Sequence, residues 1–516
     1  MNRVIRQARR AGYLRAASLV AAMCLTGMAG AAGVRGLSVG HDVPATAGHA
    51  NAHALLMAVG QPGLPGIEQD LDQARWLAHR LAVPEDNVLA LRGAELGADK
   101  MRQMLAGLDQ LARGDEEILV YFSGPGSHVC VDGKPAEALV LGDGSRMALA
   151  EIEQRLRTLS ERTRRVMVWL DAGFAPGAEG QALAAKYLAP EPGCGEPGLK
   201  RGLKRGLAVG KDPYAGSNYV KIAAAAVDEA AYAAPGVGSL ATRAWVGCLA
   251  GGALDADASS GLSVHELLAC AATRQRALLA EHGGAPVAAA TEAPAPDVAG
   301  NADMVVADAP VDSEVRAPDP VAALRDILAN RDARRQVSLV ASQDSYRIGR
   351  DEVGFEIRSS HAGHVYLLMV GSDGKTFDLL FPNRKDTDNR IEAGASLALP
   401  RPSWRIRAGG PAGENHLLAL VTDAPRDFSS LELRAAGPFS IAAVTPGNTR
   451  GLRVAADQGP ACAPKKSRFR TLLIEDAPAP APESAPAGPA AQSAPTAAEA
   501  CANSYGAALI TLREVE

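Results

Sequence analysis

The chain predicts an α/β domain, a mostly parallel sheet with flanking helices, followed by an all-β, sandwich-like domain. Two observations carry that reading. In the first half, short apolar runs end abruptly in small-residue loops and alternate with amphipathic stretches of helical period, the pattern of buried parallel strands joined by right-handed crossovers. From Val337 onward the hydrophobic period changes to two and turns break the chain at short intervals, as in stacked antiparallel sheets.

Composition sets the outer bounds. With 22% charged and 47% hydrophobic residues over 516 positions, the chain has the make-up of a globular protein with room for two or three cores. The formal net charge is −5, and residues 1–31 contribute only positive charge, so the remainder is more acidic still. That balance gives no support to binding of nucleic acid or anionic membrane. Arg3, Arg6, Arg9, Arg10 and Arg15 precede an apolar stretch, Ala16 to Met28, and the small residues Ala29-Gly30-Ala31. This is the grammar of a cleaved export signal over 1–31, and the apolar run is short and glycine-rich for a membrane anchor. The mature protein is expected to be periplasmic or secreted, with no membrane span.

Residues 32–51 read as a flexible lead. The elements that follow are a strand at Ala54–Val59, a helix at Ile67–Leu81, a strand at Val88–Leu91, a helix at Asp99–Ala112 and a strand at Ile118–Phe122. A short strand at Ala138–Leu141, a helix at Leu149–Leu159 and a strand at Val166–Leu170 complete the series. A long loop, Ala172 to Asn218, carries the basic tandem repeat Gly198-Leu-Lys-Arg-Gly-Leu-Lys-Arg205; slippage in a solvated loop accounts for such a repeat. Residues 283–299 are rich in alanine and proline and read as a disordered insert, with Gly300–Val306 returning as an edge strand. Residues 309–319 form a linker and a helix spans Pro320–Asp332. Strands are expected at Val337–Ser342, Glu352–Ser359, His364–Val370, Thr376–Phe381, Leu397–Leu399, Trp404–Arg407, His416–Thr422 and Phe439–Val444. Gly371-Ser-Asp-Gly374 makes the hairpin turn. A Pro/Ala-rich tract at 478–499 interrupts this domain before a closing strand near Tyr505–Glu514.

Three sets of residues invite chemistry. Cys130, Cys194, Cys248, Cys270, Cys462 and Cys501 remain after the leader; an even number in an exported chain favours disulfides over free thiols. Cys462 and Cys501 bracket the Pro/Ala tract, Cys248 and Cys270 fall on consecutive helices, and Cys130 is left with Cys194. Asp255, Asp257, Ser259 and Glu266 occupy ligand positions of a twelve-residue loop like that of calcium-binding hands, with Ser260 where glycine is usual. The same stretch reads more simply as a capping box from Ser263 to Glu266. Lastly, Tyr121-Phe-Ser-Gly-Pro-Gly-Ser-His128 and Trp169-Leu-Asp-Ala-Gly-Phe-Ala-Pro-Gly177 end two central strands, where α/β proteins place their functional groups.

Those last two segments resemble the active-site strands of caspase-like cysteine peptidases, the caspase and metacaspase superfamily, whose loops read Ser-Gly-His-Gly and Asp-x-Cys-His-Ser-Gly. Leu64-Pro-Gly66 with Asp70 and Asp72, Glu137-Ala-Leu139, Ala223–Tyr232 and Gly238–Thr242 extend the resemblance over about 52–308. It implies a caspase-like sandwich and aligns Pro125 with the histidine and Gly173 with the cysteine, so the scaffold is kept and the chemistry removed. It also places the basic repeat where metacaspase-like enzymes are cut. A displaced pair, His128 with Cys130, and the hydroxyls of Ser123 and Ser127 are the weak substitutes. Gly363-His-Val-Tyr-Leu-Leu368, Asp373-Gly374, Leu380-Phe-Pro-Asn383, Asn389-Arg-Ile391, Ala393-Gly394 and Gly410-Pro-Ala-Gly413 resemble an uncharacterised bacterial β-domain that often follows caspase-like domains. The expectation is therefore an exported pseudoprotease acting as a binding protein or scaffold. Its partner would be a protein or peptide, such as an active caspase-like relative; it needs no cofactor beyond a structural calcium ion. The competing readings are a residual Arg/Lys-directed cysteine endopeptidase and a calcium-responsive scaffold.

Overall fold

The computed structural model describes residues 51–309 apart from 62, 113, 178–182, 192–213 and 289–293, then 317–458 and 504–516. The leader, most of the lead, the basic repeat, most of the linker, the Pro/Ala tract, Cys194, Cys462 and Cys501 lie outside the described residues.

The first half contains β1 (Ala52–Ala58), α1 (Ile67–Arg80), β2 (Val88–Arg92), α2 (Ala98–Leu111), β3 (Glu117–Ser123), β4 (Gly126–Val131) and β5 (Lys134–Val140). It continues through β6 (Arg146–Ala148), α3 (Leu149–Ser160), β7 (Arg165–Asp171), β8 (Ala184–Ala185), β9 (Tyr219–Ala223), β10 (Tyr232–Ala234) and β11 (Gly238–Ser239). It closes with α4 (Leu240–Gly247), β12 (Gly261–Ser263), α5 (Val264–Ala288), β13 (Asp297–Gly300) and β14 (Val305–Asp308). The main sheet runs β13-β9-β7-β3-β1-β2, parallel except for β13 at one edge. Every residue of β1, β3 and β7 is buried, as unbroken apolar runs require when both faces are covered. Alternate side chains separate the layers. Leu56, Tyr121, Trp169 and Ile222 pack under α1, α4 and α5, while Leu55, Val120, Phe122 and Val168 pack under α2 and α3. Trp169 meets Trp245 of α4 edge to face at 5.0 Å, a favoured aromatic geometry. Cys248, in the turn closing α4, is bonded to Cys270 on α5 with Cα atoms 6.0 Å apart.

The second half contains α6 (Pro320–Ala329), β15 (Val337–Ala341), β16 (Ser345–Arg347), β17 (Phe355–Ser359), β18 (Gly363–Val370), β19 (Thr376–Phe381), β20 (Arg390–Ile391) and β21 (Ser396–Leu399). Then come β22 (Gly413–Thr422), β23 (Arg434–Ala436), β24 (Phe439–Ala443), α7 (Pro446–Asp457) and β25 (Tyr505–Val515). A small sheet, β15-β17-β21, faces a larger one ordered β16-β25-β22-β18-β19-β24-β23, with β20 beside β18. Val365, Leu367, Leu417 and Ala419 fill the space between the sheets. The alternate residues Tyr366, Leu368, Leu418 and Leu420 are covered by α6 and α7, so the large sheet is buried on both faces. Among the described residues no helix is long and apolar enough to cross a membrane.

The structure departs from the sequence reading in five places. Residues 281–288 continue α5, and Asp297–Gly300 pairs with β9 as the edge strand. The described parts of the expected disordered insert are therefore ordered, because that segment covers an otherwise open edge. Val305–Asp308 pairs with β12 instead of the main sheet. Cys130 and His128 lie on a strand, β4, in an antiparallel β4-β5-β6 sheet, and not in a loop. Trp404–Arg407 forms only a single bridge, Glu352 to Arg407. The helix α7, begun by a Thr445 cap and Pro446, has no counterpart in the sequence reading.

Candidate functional site

The central strands β3 and β7 end side by side at Ser123 and Asp171, and the loops leaving them carry Pro125 and Gly173. At this end of the sheet sits a buried side chain that the sequence reading passed over, Lys186. Its ammonium lies 2.9 Å from Asp171 and 3.5 Å from Asp70, and donates to Ser123 Oγ at 2.7 Å. All four residues are fully buried. Ser123 Oγ donates to Asp70, whose other carboxylate oxygen accepts the Ser239 N–H at 2.6 Å. Thr242 Oγ donates to Asp171 and shares a hydrogen bond with Tyr121. Burial pushes the Asp70 carboxyl above its ordinary range, with Lys186 pulling it back and Asp171 adding to the rise. Burial likewise pushes the Tyr121 phenol up. Two carboxylates thus converge on one cation with no side chain of the cluster exposed to solvent, a costly arrangement unless every hydrogen bond is made.

The backbone around Lys186 is as specific as its side chain. Its carbonyl accepts two N–H groups, those of Gly126 and Gly173, each at 3.0 Å. Two convergent backbone donors on one carbonyl oxygen are the geometry of an oxyanion hole. The Lys186 N–H donates to the Ala231 carbonyl at 2.8 Å, and the Leu188 N–H to the Gly126 carbonyl at 2.8 Å. β8 pairs antiparallel with β10, and Tyr187 bridges parallel to Gly126. Further along, the Ala189 carbonyl accepts from Ser127 Oγ at 3.0 Å and from Arg146 at 3.1 Å. The segment Leu183–Glu191 is therefore held against the ends of β3 and β7 by backbone pairing, as a strand at Ala184–Ala185 and through the bridge of Tyr187 to Gly126, much as extended peptides dock on sheets.

Gly173 offers no nucleophile and little room for one. A Cβ there would stand 2.7 Å from the Ala231 nitrogen and 3.3 Å from the Lys186 carbonyl oxygen. A Cβ on Gly126 would stand 2.2 Å from the Gly173 carbonyl oxygen, so both loops close on each other because neither carries a side chain. Pro125 contributes only its carbonyl, which accepts the Val140 N–H at 3.0 Å. Of the substitute residues, Cys130, Ser123 and Ser127 are otherwise occupied. Cys130 is disulfide-bonded, which removes the thiolate that a displaced pair needs; Cys194, its expected partner, lies outside the described residues. Burial lowers the His128 pKa, and Ser127 Oγ is held between Ala189 and Arg146.

The calcium-like loop is brought together as its spacing implies. Oxygens of Asp255, Asp257 and Glu266 lie within 4.8 Å of one another, and Ser260 takes the positive φ of 66° that glycine would supply at that position. Those oxygens also hold the loop itself. Glu266 accepts the N–H groups of Ala256 at 2.7 Å and Ser263 at 2.9 Å, and its own N–H donates to Ser263 Oγ. Asp255 accepts from Ser259 at 3.0 Å and Ser260 at 2.9 Å, and burial raises its carboxyl to about 6. Ser259 Oγ accepts the Gly261 N–H at 3.0 Å. The capping box is formed, and three carboxylates converge beside it.

A family model described as a domain of unknown function (DUF4384) matches residues 345–425, within the β-domain. No curated protein matches the chain. Among solved structures, a caspase-1 from Spodoptera frugiperda is similar with 12% identity over 54% of this chain and 98% of its own, at a TM-score of 0.33. A protein from Geobacter sulfurreducens is similar with 15% identity over 49% of this chain and 94% of its own, at a TM-score of 0.32.

Proposed function

We propose that this chain is a non-catalytic member of the caspase-like group, a pseudoprotease exported to the cell envelope that works as a binding or scaffold protein. Its cleft holds its own Leu183–Glu191 segment in the manner of a substrate. The single observation behind the reading is the seat of Lys186: its carbonyl takes both backbone donors while the adjoining Gly173 brings neither a nucleophile nor space for one. A cleft filled from within leaves the β-domain and the outer faces to meet a protein partner, of which an active caspase-like relative is one kind. The endopeptidase reading requires a thiolate, and Cys130 is committed to a disulfide. A calcium-responsive scaffold is the second reading, favoured by the convergence of Asp255, Asp257 and Glu266.

The test is turnover of fluorogenic Lys- and Arg-peptides by purified mature protein, with and without calcium. No cleavage is expected in either condition. Cleavage that a thiol-alkylating reagent abolishes would overturn the proposal. A calcium-dependent rise in melting temperature that Asp255→Ala and Glu266→Ala both remove would move the weight to the second reading.

A further inference from the structure

The seat of Lys186 holds more than an ion pair needs. Its Nζ lies 2.9 Å from Asp171 Oδ1, yet that oxygen is buried without a hydrogen-bond partner. The contact is close and is not aimed along a hydrogen bond. The second Asp171 oxygen, Oδ2, accepts from Thr242 Oγ, which shares a hydrogen bond of 2.8 Å with the Tyr121 hydroxyl. Nζ itself donates to Ser123 Oγ at 2.7 Å, and Ser123 Oγ donates to Asp70 Oδ2, which lies 3.5 Å from Nζ. Asp70, Ser123, Asp171 and Lys186 have no exposed surface, and Tyr121 and Trp169 belong to the same buried layer.

An amine held against a carboxyl group, a donor on the far carboxyl oxygen and a neighbouring group that can carry a proton are what amide formation requires. We propose that Lys186 and Asp171 condense into an intramolecular isopeptide bond, tying the Leu183–Glu191 segment covalently to the end of β7. The ammonium first passes one proton through Ser123 Oγ to Asp70. Nζ then forms a bond to Asp171 Cγ, while Thr242 steadies the charge that grows on Oδ2. The Cγ–Oδ1 bond breaks, and Oδ1 leaves as water with two of the three ammonium protons, one of them returned by Asp70. The third proton stays on the amide nitrogen, and no co-reactant is consumed.

Burial pushes the Asp70 carboxyl above its ordinary range, which suits a group that must take up a proton and give it back. Groups held in this way react as though at concentrations on the order of 10⁵–10⁸ M. Two buried charges are exchanged for a neutral amide, which removes the desolvation that the ion pair bears. The ion-paired cluster is the reactant, so the bond accumulates as the folded protein ages. It depends on the seat of Lys186 and not on the scaffold role, and peptide turnover does not bear on it.

The experiment is intact-mass measurement of the mature protein, its amino terminus sequenced and its disulfides reduced, before and after a week at neutral pH. A species lighter than the sequence mass by one water is expected. Glutamyl endopeptidase cuts the chain between the two residues at Glu179, and the fragments on either side should stay joined through Lys186 and Asp171. Lys186→Arg keeps the positive charge but supplies no neutral amine, and it should retain the full sequence mass. Asp70→Asn should slow accumulation at least about a hundredfold, the loss of a proton carrier. Fragment mapping of the parent decides the matter if these variants do not fold. The proposal is overturned if the parent stays at full sequence mass, or if its fragments are joined through Asp70 instead of Asp171. A water loss that persists in Lys186→Arg, as ring closure at another aspartate would, overturns it as well.

Discussion

Replacing Lys186 with methionine keeps the length of the side chain and deletes only its charge and donors. The ammonium lies 2.9 and 3.5 Å from two carboxylates with no exposed surface on any partner. At an effective dielectric constant near 20 these pairs are worth gross attractions of about 6 and 5 kcal/mol, most of which offsets the desolvation of three charges. What the variant feels is the residue of that balance: two carboxylates left buried without a cation, a loss of about 3–5 kcal/mol. Burial already raises Asp70, so it would answer by taking a proton. A carboxyl with a raised folded pKa favours the folded state as pH falls toward its unfolded value. Lys186→Met should therefore be more damaging at pH 7.5 than at pH 5. Melting temperature and urea midpoint at the two pH values test this, and Lys186→Met/Asp70→Asn should recover a good part of the loss at pH 7.5. A single variant within about 0.5 kcal/mol of the parent, the range of unremarkable surface changes, would refute the buried cluster and with it the self-occupied cleft.

Other outcomes follow from the same geometry. Gly173→Cys puts a Cβ 2.7 Å from the Ala231 nitrogen and should cost about 1–3 kcal/mol, as overpacking does. For that reason Pro125→His/Gly173→Cys should remain inactive on Lys- and Arg-peptides, and measurable turnover would show that the loop yields. Asp326, raised to about 7 from an unfolded value near 3.9, binds more protons folded than unfolded across that window. Its contribution to stability therefore falls as pH rises from about 4 to 7, by up to about 4 kcal/mol. Asp326→Asn should remove that slope, so the difference between parent and variant in pH-dependent melting should itself change from about pH 4 to 7, whereas His53 and His361, lowered to about 4, act with the opposite sign and cancel in the comparison. Ser263→Ala removes the hydroxyl that caps α5 and should cost about 1 kcal/mol in calcium-free buffer, read as a lower melting temperature; no change would mean that Glu266 holds the loop alone.

Much of the architecture was written in periodicity. The fully buried runs of β1, β3 and β7 and the stripe Leu71, Ala74, Leu77, Ala78 on α1 are local patterns, and a buried face leaves no freedom in how they are read. The pairing of Cys248 with Cys270 was legible because it joins consecutive helices. β4 was harder: Gly126-Ser-His-Val-Cys-Val131 mixes polar and apolar residues because one end is buried in the cleft and the other is exposed, so neither period stands out. Asp297–Gly300 carries an alanine/proline-rich neighbourhood that signals disorder, and only the open edge of β9 makes it a strand. α7 is helical by its cap and its burial against the β-domain, a tertiary cause with a faint local trace.

Lys186 marks the limit of such reading. In Leu183-Ala-Ala-Lys-Tyr-Leu188 a single lysine between apolar residues looks like a surface side chain of a loop, and by composition that is the sound inference. Its partners, Asp70, Ser123 and Asp171, belong to α1, β3 and β7, and no spacing rule links them to residue 186. Yet its position follows from physical necessity once the fold is known. Removing the side chains at 126 and 173 lets the two loops approach each other and leaves their N–H groups pointing at one spot; buried donors need an acceptor. The two carboxylates beside them need a cation. Among the described residues one segment satisfies both demands at once, with its carbonyl on the paired N–H groups and its ammonium on the acids. Each half of the contact fixes the register of the other: slipping Leu183–Glu191 by one residue would take Lys186 off the carboxylates and turn alternate side chains to the opposite side. With the paired N–H groups and both acids engaged by one segment of the chain, this end of the sheet offers a passing peptide little to bind, and under the proposed function a partner would be sought on the outer surfaces.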